Sequence, residues 1–297
     1  LLLSNKNIDI NIPCKDEPFN RTPLCIAIEN GDDELAKLLM SKENINVNYP
    51  NYYDSNILTP LCAAILKDNL EIIKLLLSNK NIDINLPCKN KVEKTPLCVA
   101  IEKRNYKIVK LLLSYENINV NHPNKSSKIL TPLCAAIDQS FLNKESINII
   151  KLLLSNKNID VNFLSCTKSP LYKAVEKKNI EIVKLLLEND KIDVNIKKNP
   201  PLLKAAKTGC SEIVRLLLSN KNIDINHVYK EYEEYNTKGL TKRSLFSKSR
   251  LPTTMKSSEK TILLIAVEHS DYDIVKILLE NKDIDINYVY KEYYEDY

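Results

Sequence analysis

The chain has 297 residues, of which 44% are hydrophobic and 27% charged, and its formal net charge is +5 at pH 7. It contains only 3 glycines, so a glycine-rich loop for phosphate binding is nearly excluded. No apolar run approaches the roughly 18 residues that a membrane-spanning helix needs, and we expect no membrane partner.

One segment, typified by residues 59–85, recurs along nearly the whole chain. Its copies begin at residues 22, 59, 95, 131, 169, 200 and 261, and each ends in the tetrad Ile-Asx-Ile/Val-Asn. The start of a copy lies 23 residues before its tetrad, as from Thr59 to Ile82, and only the fourth copy differs, at 28. A spacing held over six copies indicates a repeat protein.

The chain starts within a copy. Residues 1–11 match residues 75–85, which form the end of a copy. We therefore expect residues 1–21 to be the end of a truncated repeat, in a fragment of a longer array. Six copies then occupy residues 22–226.

Each copy reads as two short helices. Thr59 is placed to cap the first helix, with Pro60 at its first position, where no backbone N–H is needed. Asn69 is placed to cap the second, whose apolar residues, 72, 73 and 75–77, cover too much of the helix for one exposed face. Two such helices cannot bury this surface alone, but stacked copies can, which predicts a solenoid.

The sixth copy is followed by an insertion, residues 227–260, rich in Lys, Ser and Tyr. It has no apolar period, so we predict a mobile segment. Its beginning, residues 227–233, nevertheless resembles residues 288–294, which indicates that it starts as an ordinary inter-repeat segment. The seventh copy occupies residues 261–287, and an acidic, Tyr-rich tail occupies residues 288–297.

These motifs resemble the ankyrin repeat. Thr22–Ala27 and Thr95–Ala100 match its T-P-L-H-x-A opening with Cys in place of His, and Asp160–Asn162 matches its Asp-Val-Asn close. The resemblance implies an all-α, ankyrin-type helix-turn-helix solenoid with short β-hairpin fingers between the tetrads and the following helices. About seven repeats plus a partial N-terminal one are expected. The family's glycine after the first helix remains only as Gly31 and Gly209.

The eight cysteines predict no metal site and no catalytic site. Cys25, Cys62, Cys98 and Cys134 occupy one equivalent position on the first helices, about 10 Å apart in a stack, which is too far for disulfides. No C-x-x-C or H-x-x-x-H pair occurs, and no sequence feature places a histidine beside a cysteine. We expect buried, reduced thiols, no cofactor, and a location in the cytoplasm, with the nucleus as the alternative.

The resemblance implies a non-catalytic scaffold that binds a partner protein, not a small-molecule substrate. In the family the partner lies in a concave groove formed by finger tips and first-helix ends. The equivalent positions here are Glu29, Asn30, Leu66, Lys67, Glu102, Lys103, Asp138, Gln139, Glu176 and Lys177. Tyr52 and Tyr53 add aromatic side chains, which are enriched at binding hot spots, in the finger before the second copy.

Two other functions remain open from the sequence. The array is alternatively the regulatory or targeting arm of an enzyme whose catalytic domain lies outside the fragment. Nucleic-acid binding is the weaker alternative, and it would use the basic residues of the insertion, at 238–250. Elsewhere Lys and Glu alternate, as in residues 176–178, so the positive charge is not concentrated.

Overall fold

The computed structural model of the chain describes residues 9–16, 19–53, 56–89, 93–123, 130–139, 144–165, 167–234 and 254–296. Packing divides it into two compact units. The first contains residues 1–174 with 188–192, and the second contains residues 175–187 with 193–297.

The helices occur in pairs at the predicted positions. In the first unit they are α1 (Pro23–Asn30), α2 (Asp33–Met40), α3 (Pro60–Leu66), α4 (Leu70–Ser78), α5 (Pro96–Glu102), α6 (Tyr106–Leu113), α7 (Pro132–Asp138) and α8 (Lys144–Leu154). The boundary of the units falls within the pair α9 (Pro170–Glu176) and α10 (Ile180–Leu187). The second unit adds α11 (Pro201–Lys207), α12 (Ser211–Leu218), α13 (Ile262–Glu268) and α14 (Tyr272–Leu279).

The first helix of a repeat starts as its sequence predicts. The hydroxyl of Thr59 accepts a hydrogen bond from the backbone N–H of Cys62, and Pro60 occupies the first turn. The capping threonines of α1, α5, α7 and α13 accept the equivalent bond. One orphan backbone N–H is thereby satisfied at each start, and the threonine itself is buried.

The turn between the two helices takes a left-handed backbone conformation. Gly31 and Gly209 have φ values of 73° and 65°, and Asp68 and Arg104 at the equivalent position both have 56°. Lys178 and Ser270 behave in the same way. An L-residue in this region costs about 1–2 kcal/mol, so helix packing holds the turn even where glycine is absent.

Stacking buries the apolar faces within each unit. In the first unit α1, α3, α5 and α7 pack in succession, as do the pairs α2 with α4 and α6 with α8. In the second unit α11 packs on α13, and α12 packs on both α10 and α14. Side chains from both helices of a repeat, such as Leu61, Ile65, Ile72 and Leu76, are fully buried. The packing of neighbouring repeats supplies the stability that such short helices lack alone.

The tetrad residues link one repeat to the next through hydrogen bonds. In the tetrad that ends at Asn48, the side chain of Asn46 accepts from the backbone N–H of Asn48 at 3.0 Å. The Asn48 amide then donates to the carbonyl of Asn81 at 2.6 Å and accepts from the N–H of Asp83 at 2.8 Å. The same two links recur from Asn11, Asn85, Asn121, Asn195 and Asn226.

The strands lie between repeats and form one antiparallel sheet in each unit. In the first unit they are β1 (Cys14–Asp16), β2 (Phe19–Arg21), β3 (Asn51–Tyr53), β4 (Asn56–Leu58), β5 (Cys88–Lys89) and β6 (Glu93–Lys94), paired in chain order. In the second they are β7 (Tyr229–Glu234), β8 (Thr254–Lys260) and β9 (Lys291–Asp296), with β8 in the middle. These hairpins are the predicted fingers.

The sequence predicts a mobile segment over residues 227–260, but the structure has a paired strand at each end of it. Residues 229–234 pair with residues 255–260 in a continuous antiparallel register, and β8 also pairs with β9. Tyr229, Ser257 and Ser258 are buried, and Lys260 forms an ion pair with Glu268 at 2.8 Å. Apolar periodicity missed these strands because their pairing depends on backbone hydrogen bonds. The similarity between residues 227–233 and 288–294 has a counterpart in the sheet, where β7 and β9 both pair with β8. The predicted basic patch at 238–250 lies outside the described residues.

A missing helix cap gives the first testable prediction. Asn69, Asn105 and Asp271 cap second helices through their side chains, whereas Cys210 at the start of α12 makes no such bond. Cys210→Asn should raise the free energy of unfolding by roughly 1 kcal/mol, measured by urea denaturation. The control Cys210→Ala removes the sulfur without adding a cap and should not be stabilised. An equal effect of both substitutions would contradict the capping explanation.

The second prediction separates the paired strands from the residues between them. Replacing residues 235–254 by Asn-Gly preserves the pairing of Glu234 with Met255 across a two-residue turn and should leave the urea midpoint nearly unchanged. Replacing residues 228–260 by a five-residue linker removes buried Tyr229 and the Lys260–Glu268 pair, and should destabilise by roughly 2 kcal/mol or more. Equal stability of the two deletion variants would show that β7 and β8 contribute nothing to the second unit.

Candidate functional site

The predicted site residues lie where the first helices end. In the first unit Glu29, Leu66, Glu102 and Asp138 lie in the last turns of α1, α3, α5 and α7. Asn30 is the last residue of α1, and Lys67, Lys103 and Gln139 follow the other three helices. Glu176 and Lys177 belong to the second unit. We call the ends of these four helices, together with β1–β6, the helix-end surface.

Several of these charges are engaged within the molecule. Arg21 contacts Glu29 at 3.3 Å, and Lys94 contacts Glu102 at 2.6 Å. Each pair joins the residue before a capping threonine to a glutamate eight positions later, and Lys260–Glu268 repeats the arrangement in the second unit. These ion pairs connect a finger strand to a helix end. The helix ends are therefore under a structural constraint that the sequence analysis did not include.

The remaining acidic helix ends pair with the following repeat. Asp138 contacts Lys173 at 2.7 Å, and Glu176 contacts Lys204 at 3.8 Å within the second unit. Lys103 contacts Asp68 at 2.9 Å and also donates to the carbonyl of Leu66 at 2.8 Å. Partly exposed pairs of this kind contribute about 1 kcal/mol or less each, so their main effect is to orient the side chains.

The second repeat interrupts this pattern of ion pairs. At the positions that hold Arg21 and Glu29 in the first repeat, it has Leu58 and Leu66. Leu66 is 40% exposed, although it is a large apolar residue. A cavity of about 290 Å³ opens beside it, lined by Arg21, Glu29, Asn30, Leu58, Ala63, Leu66 and Lys67. We call it the Leu66 cavity. The structure thus brings together four of the predicted site residues, Glu29, Asn30, Leu66 and Lys67.

Tyr52 and Tyr53 lie in β3, which pairs with β4 in the hairpin that precedes α3. Tyr52 is opposite Asn20 of β2 and Ile57 of β4 in the sheet register, and Tyr53 is opposite Asn56. The sequence predicted a finger at this position, and the hairpin confirms it. The role of the two tyrosines as binding anchors stays a prediction.

The four aligned cysteines are buried, with 0% exposure each. Three of them contact the segment that follows their own repeat. The Asn51 amide donates to the Cys25 sulfur, Cys62 is hydrogen-bonded to Cys88, and Cys134 is hydrogen-bonded to Ser165. Burial raises the pKa of the Cys25 and Cys134 thiols, and the hydrogen bond that the Cys62 thiol donates to Cys88 is the largest cause of the raised pKa of Cys62. These groups therefore remain protonated at neutral pH and are poor nucleophiles.

Other cysteines differ from the expected buried thiol. Cys14 is exposed and Cys210 is half-buried, so the core assignment is wrong for these two. Cys14 lies on β1, the first strand of the sheet, and Cys210 lies at the N-terminal start of α12. Cys88 is buried against Cys62, and that hydrogen bond lowers the pKa of Cys88. Cys166 lies outside the described residues.

Two further observations concern the part of the chain that the structure describes. No group of three or more His, Cys, Asp or Glu side chains is placed to hold a metal ion. No helix is long and apolar enough to cross a membrane. The histidines are individually engaged: His227 contacts Asp224 at 3.4 Å, and His269 contacts the carbonyl of Ile265 at 2.8 Å.

Comparison with known proteins identifies the repeats. A sequence profile described as "Ankyrin repeats (3 copies)" matches residues 1–88, 85–165 and 141–229, and one described as "Ankyrin repeat" matches residues 259–287. The chain belongs to the ankyrin repeat family, whose repeats are typically non-catalytic modules of protein–protein interaction. No curated protein matches the sequence.

Solved structures agree with this assignment. The ankyrin repeat domain of Bcl-3, a member of the IkappaB protein family, is similar at 23% identity and a TM-score of 0.56, over 69% of this chain and 87% of that one. The ankyrin repeat protein EF0377 is similar at 24% identity and a TM-score of 0.55, over 67% and 98%. At these identities the similarity shows the fold. The predicted fold class and family are therefore confirmed.

The raised pKa of Cys134 gives the third prediction. Burial raises the pKa of this thiol from 9.0 to about 11. Because the unfolded thiol loses its proton first, the stabilisation is complete below pH 9 and is lost as the pH rises through 11. Between these values the wild type should lose up to roughly 3 kcal/mol more than a Cys134→Ala variant, measured by urea denaturation. Parallel losses in the two proteins would contradict a buried, neutral Cys134.

Proposed function

We propose that the protein is a non-catalytic scaffold that binds a partner protein through the helix-end surface of its first unit. The observation that carries this proposal is the interruption at Leu58 and Leu66. Charged residues at most of the neighbouring helix ends form ion pairs within the protein. In the second repeat, by contrast, the apolar side chain of Leu66 is exposed beside a cavity. Exposed apolar surface next to a cavity and rimmed by polar groups is typical of interaction sites.

Three features support this surface over the rest of the repeat. In the second repeat, α4 buries Ile72, Ile73, Leu76 and Leu77, and the tetrad is linked to Asn48 of the preceding repeat. The finger hairpin that carries Tyr52 and Tyr53 adjoins the Leu66 cavity through Leu58. Lys67 makes no ion pair with any described residue and so remains available to steer a partner.

The fourth prediction tests the surface with a partner protein isolated by affinity purification on the whole chain. Changing Tyr52 and Tyr53 to Ala should weaken binding by about 2 kcal/mol or more in titration calorimetry if they are hot spots. Lys67→Glu should slow association and change its salt dependence, whereas Lys74→Glu on the exposed face of α4 should do neither. Lys103→Glu is less informative, because it also breaks the contact with Asp68.

One result would contradict the proposal. If all these variants bind like the wild type while the Asn-Gly replacement of residues 235–254 abolishes binding, the insertion is the docking element. Steep salt dependence of binding to single-stranded RNA would instead favour the nucleic-acid alternative.

A further inference from the structure

The Leu66 cavity has the size of a side-chain pocket. Its volume of about 290 Å³ lies at the lower limit for sites that hold a whole small ligand, which are typically about 300–1,000 Å³. Leu58, Ala63 and Leu66 supply its apolar lining. A single large apolar side chain fits this space, and its burial would cover the exposed part of Leu66.

The charges around the cavity determine which partner residues are favoured next to the inserted apolar side chain. Arg21 and Glu29 pair with each other, and the Glu29 side chain is only 15% exposed. Arg21 contacts only one carboxylate oxygen of Glu29, Oε2, and the other, Oε1, is buried without a hydrogen-bond partner. Their formal charges still offset each other, so the exposed ammonium group of Lys67 is the one charge of the cavity lining that no opposite charge of a described residue contacts. An acidic residue of the partner would meet this charge, whereas a basic residue would be repelled by it.

Among the described residues of this face, the neighbouring cations are already engaged. Lys103, the cation on the other side of Leu66, contacts Asp68 at 2.9 Å and the Leu66 carbonyl at 2.8 Å. Lys94 is held by Glu102 at 2.6 Å. One unpaired cation among the described residues, beside an apolar cavity, suits a short peptide better than a nucleic-acid backbone, whose binding requires many such contacts.

We propose that the Leu66 cavity binds a peptide segment of the partner protein in which a large apolar residue is followed or preceded closely by Asp or Glu. The apolar side chain enters between Leu58, Ala63 and Leu66, and the carboxylate contacts Lys67. This inference rests on the proposed function and specifies which part of the helix-end surface recognises which chemistry.

The experiment uses a phage-displayed library of random 12-residue peptides selected against the whole chain. Selected peptides should share Leu, Ile or Phe with Asp or Glu within two residues. Their affinities are then measured by fluorescence anisotropy. Leu66→Asn should weaken binding at least tenfold, whereas Leu38→Asn, at a leucine of α2 with similar exposure (48% against 40%), should change it less than twofold. Circular dichroism establishes that each variant is folded.

A charge exchange tests the acidic residue. Lys67→Glu should weaken the selected peptide about fivefold or more, and Lys74→Glu, which changes the net charge equally, should not. A peptide with its acidic residue changed to Lys should bind Lys67→Glu better than it binds the wild type. This rescue distinguishes direct contact from a general effect of net charge.

Results that contradict the cavity proposal can be distinguished from results that contradict the proposed function. Equal effects of Leu66→Asn and Leu38→Asn, failure of the charge exchange, or selection of no peptide at all would overturn the cavity proposal. The proposed function survives these results if the Tyr52 and Tyr53 variants still weaken the partner protein. Loss of both effects would overturn the two proposals together.

Discussion

No helix of the described chain is long enough to be stable alone. The helices have 7 to 11 residues, below the roughly 12–15 at which isolated helices become marginally stable in water. Each repeat must therefore bury its apolar face against a neighbour. This requirement explains why the apolar positions recur so strictly, and why Leu61, Ile65, Ile72 and Leu76 of a single repeat are all fully buried.

Stacking also determines which parts of a repeat are available for linking repeats and for binding. The tetrad asparagines satisfy backbone groups of the following repeat, as Asn48 does with Asn81 and Asp83. The helix ends and fingers lie outside the stacked helix faces, but they are constrained as well. Pairs such as Arg21–Glu29 and Lys94–Glu102 join them, so the exposed Leu66, with half-buried Leu58 in place of a cation, is a local exception.

The sequence predicted the helices well because each has a local signal. Thr59, Pro60 and Asn69 perform the capping roles that their residue types indicate. The turn residues were harder, since Arg104 and Lys178 give no local sign of a left-handed conformation that the packing of two helices imposes. The strands at the two ends of the insertion were not predicted, because β7 and β8 have no apolar period and form by pairing with each other.

The candidate site was only partly predictable. Family resemblance gave the positions of Glu29 and Leu66, and a spacing of eight residues in the sequence could have indicated the pair Arg21–Glu29. The cavity itself could not be predicted, because it depends on how Leu58 from a finger approaches Ala63 and Leu66 from a helix. Such a meeting of elements follows from tertiary packing and has no signature in either segment.

Hydrogen exchange of the protein, free and bound to its partner, tests the central claim most directly. Recognition by the helix-end surface predicts slower exchange on binding in β3, in β4 and at the C-terminal ends of α1 and α3, with little change in α2 and α4. Slower exchange confined to β7, β8 and β9, or to the second helices, would contradict the account.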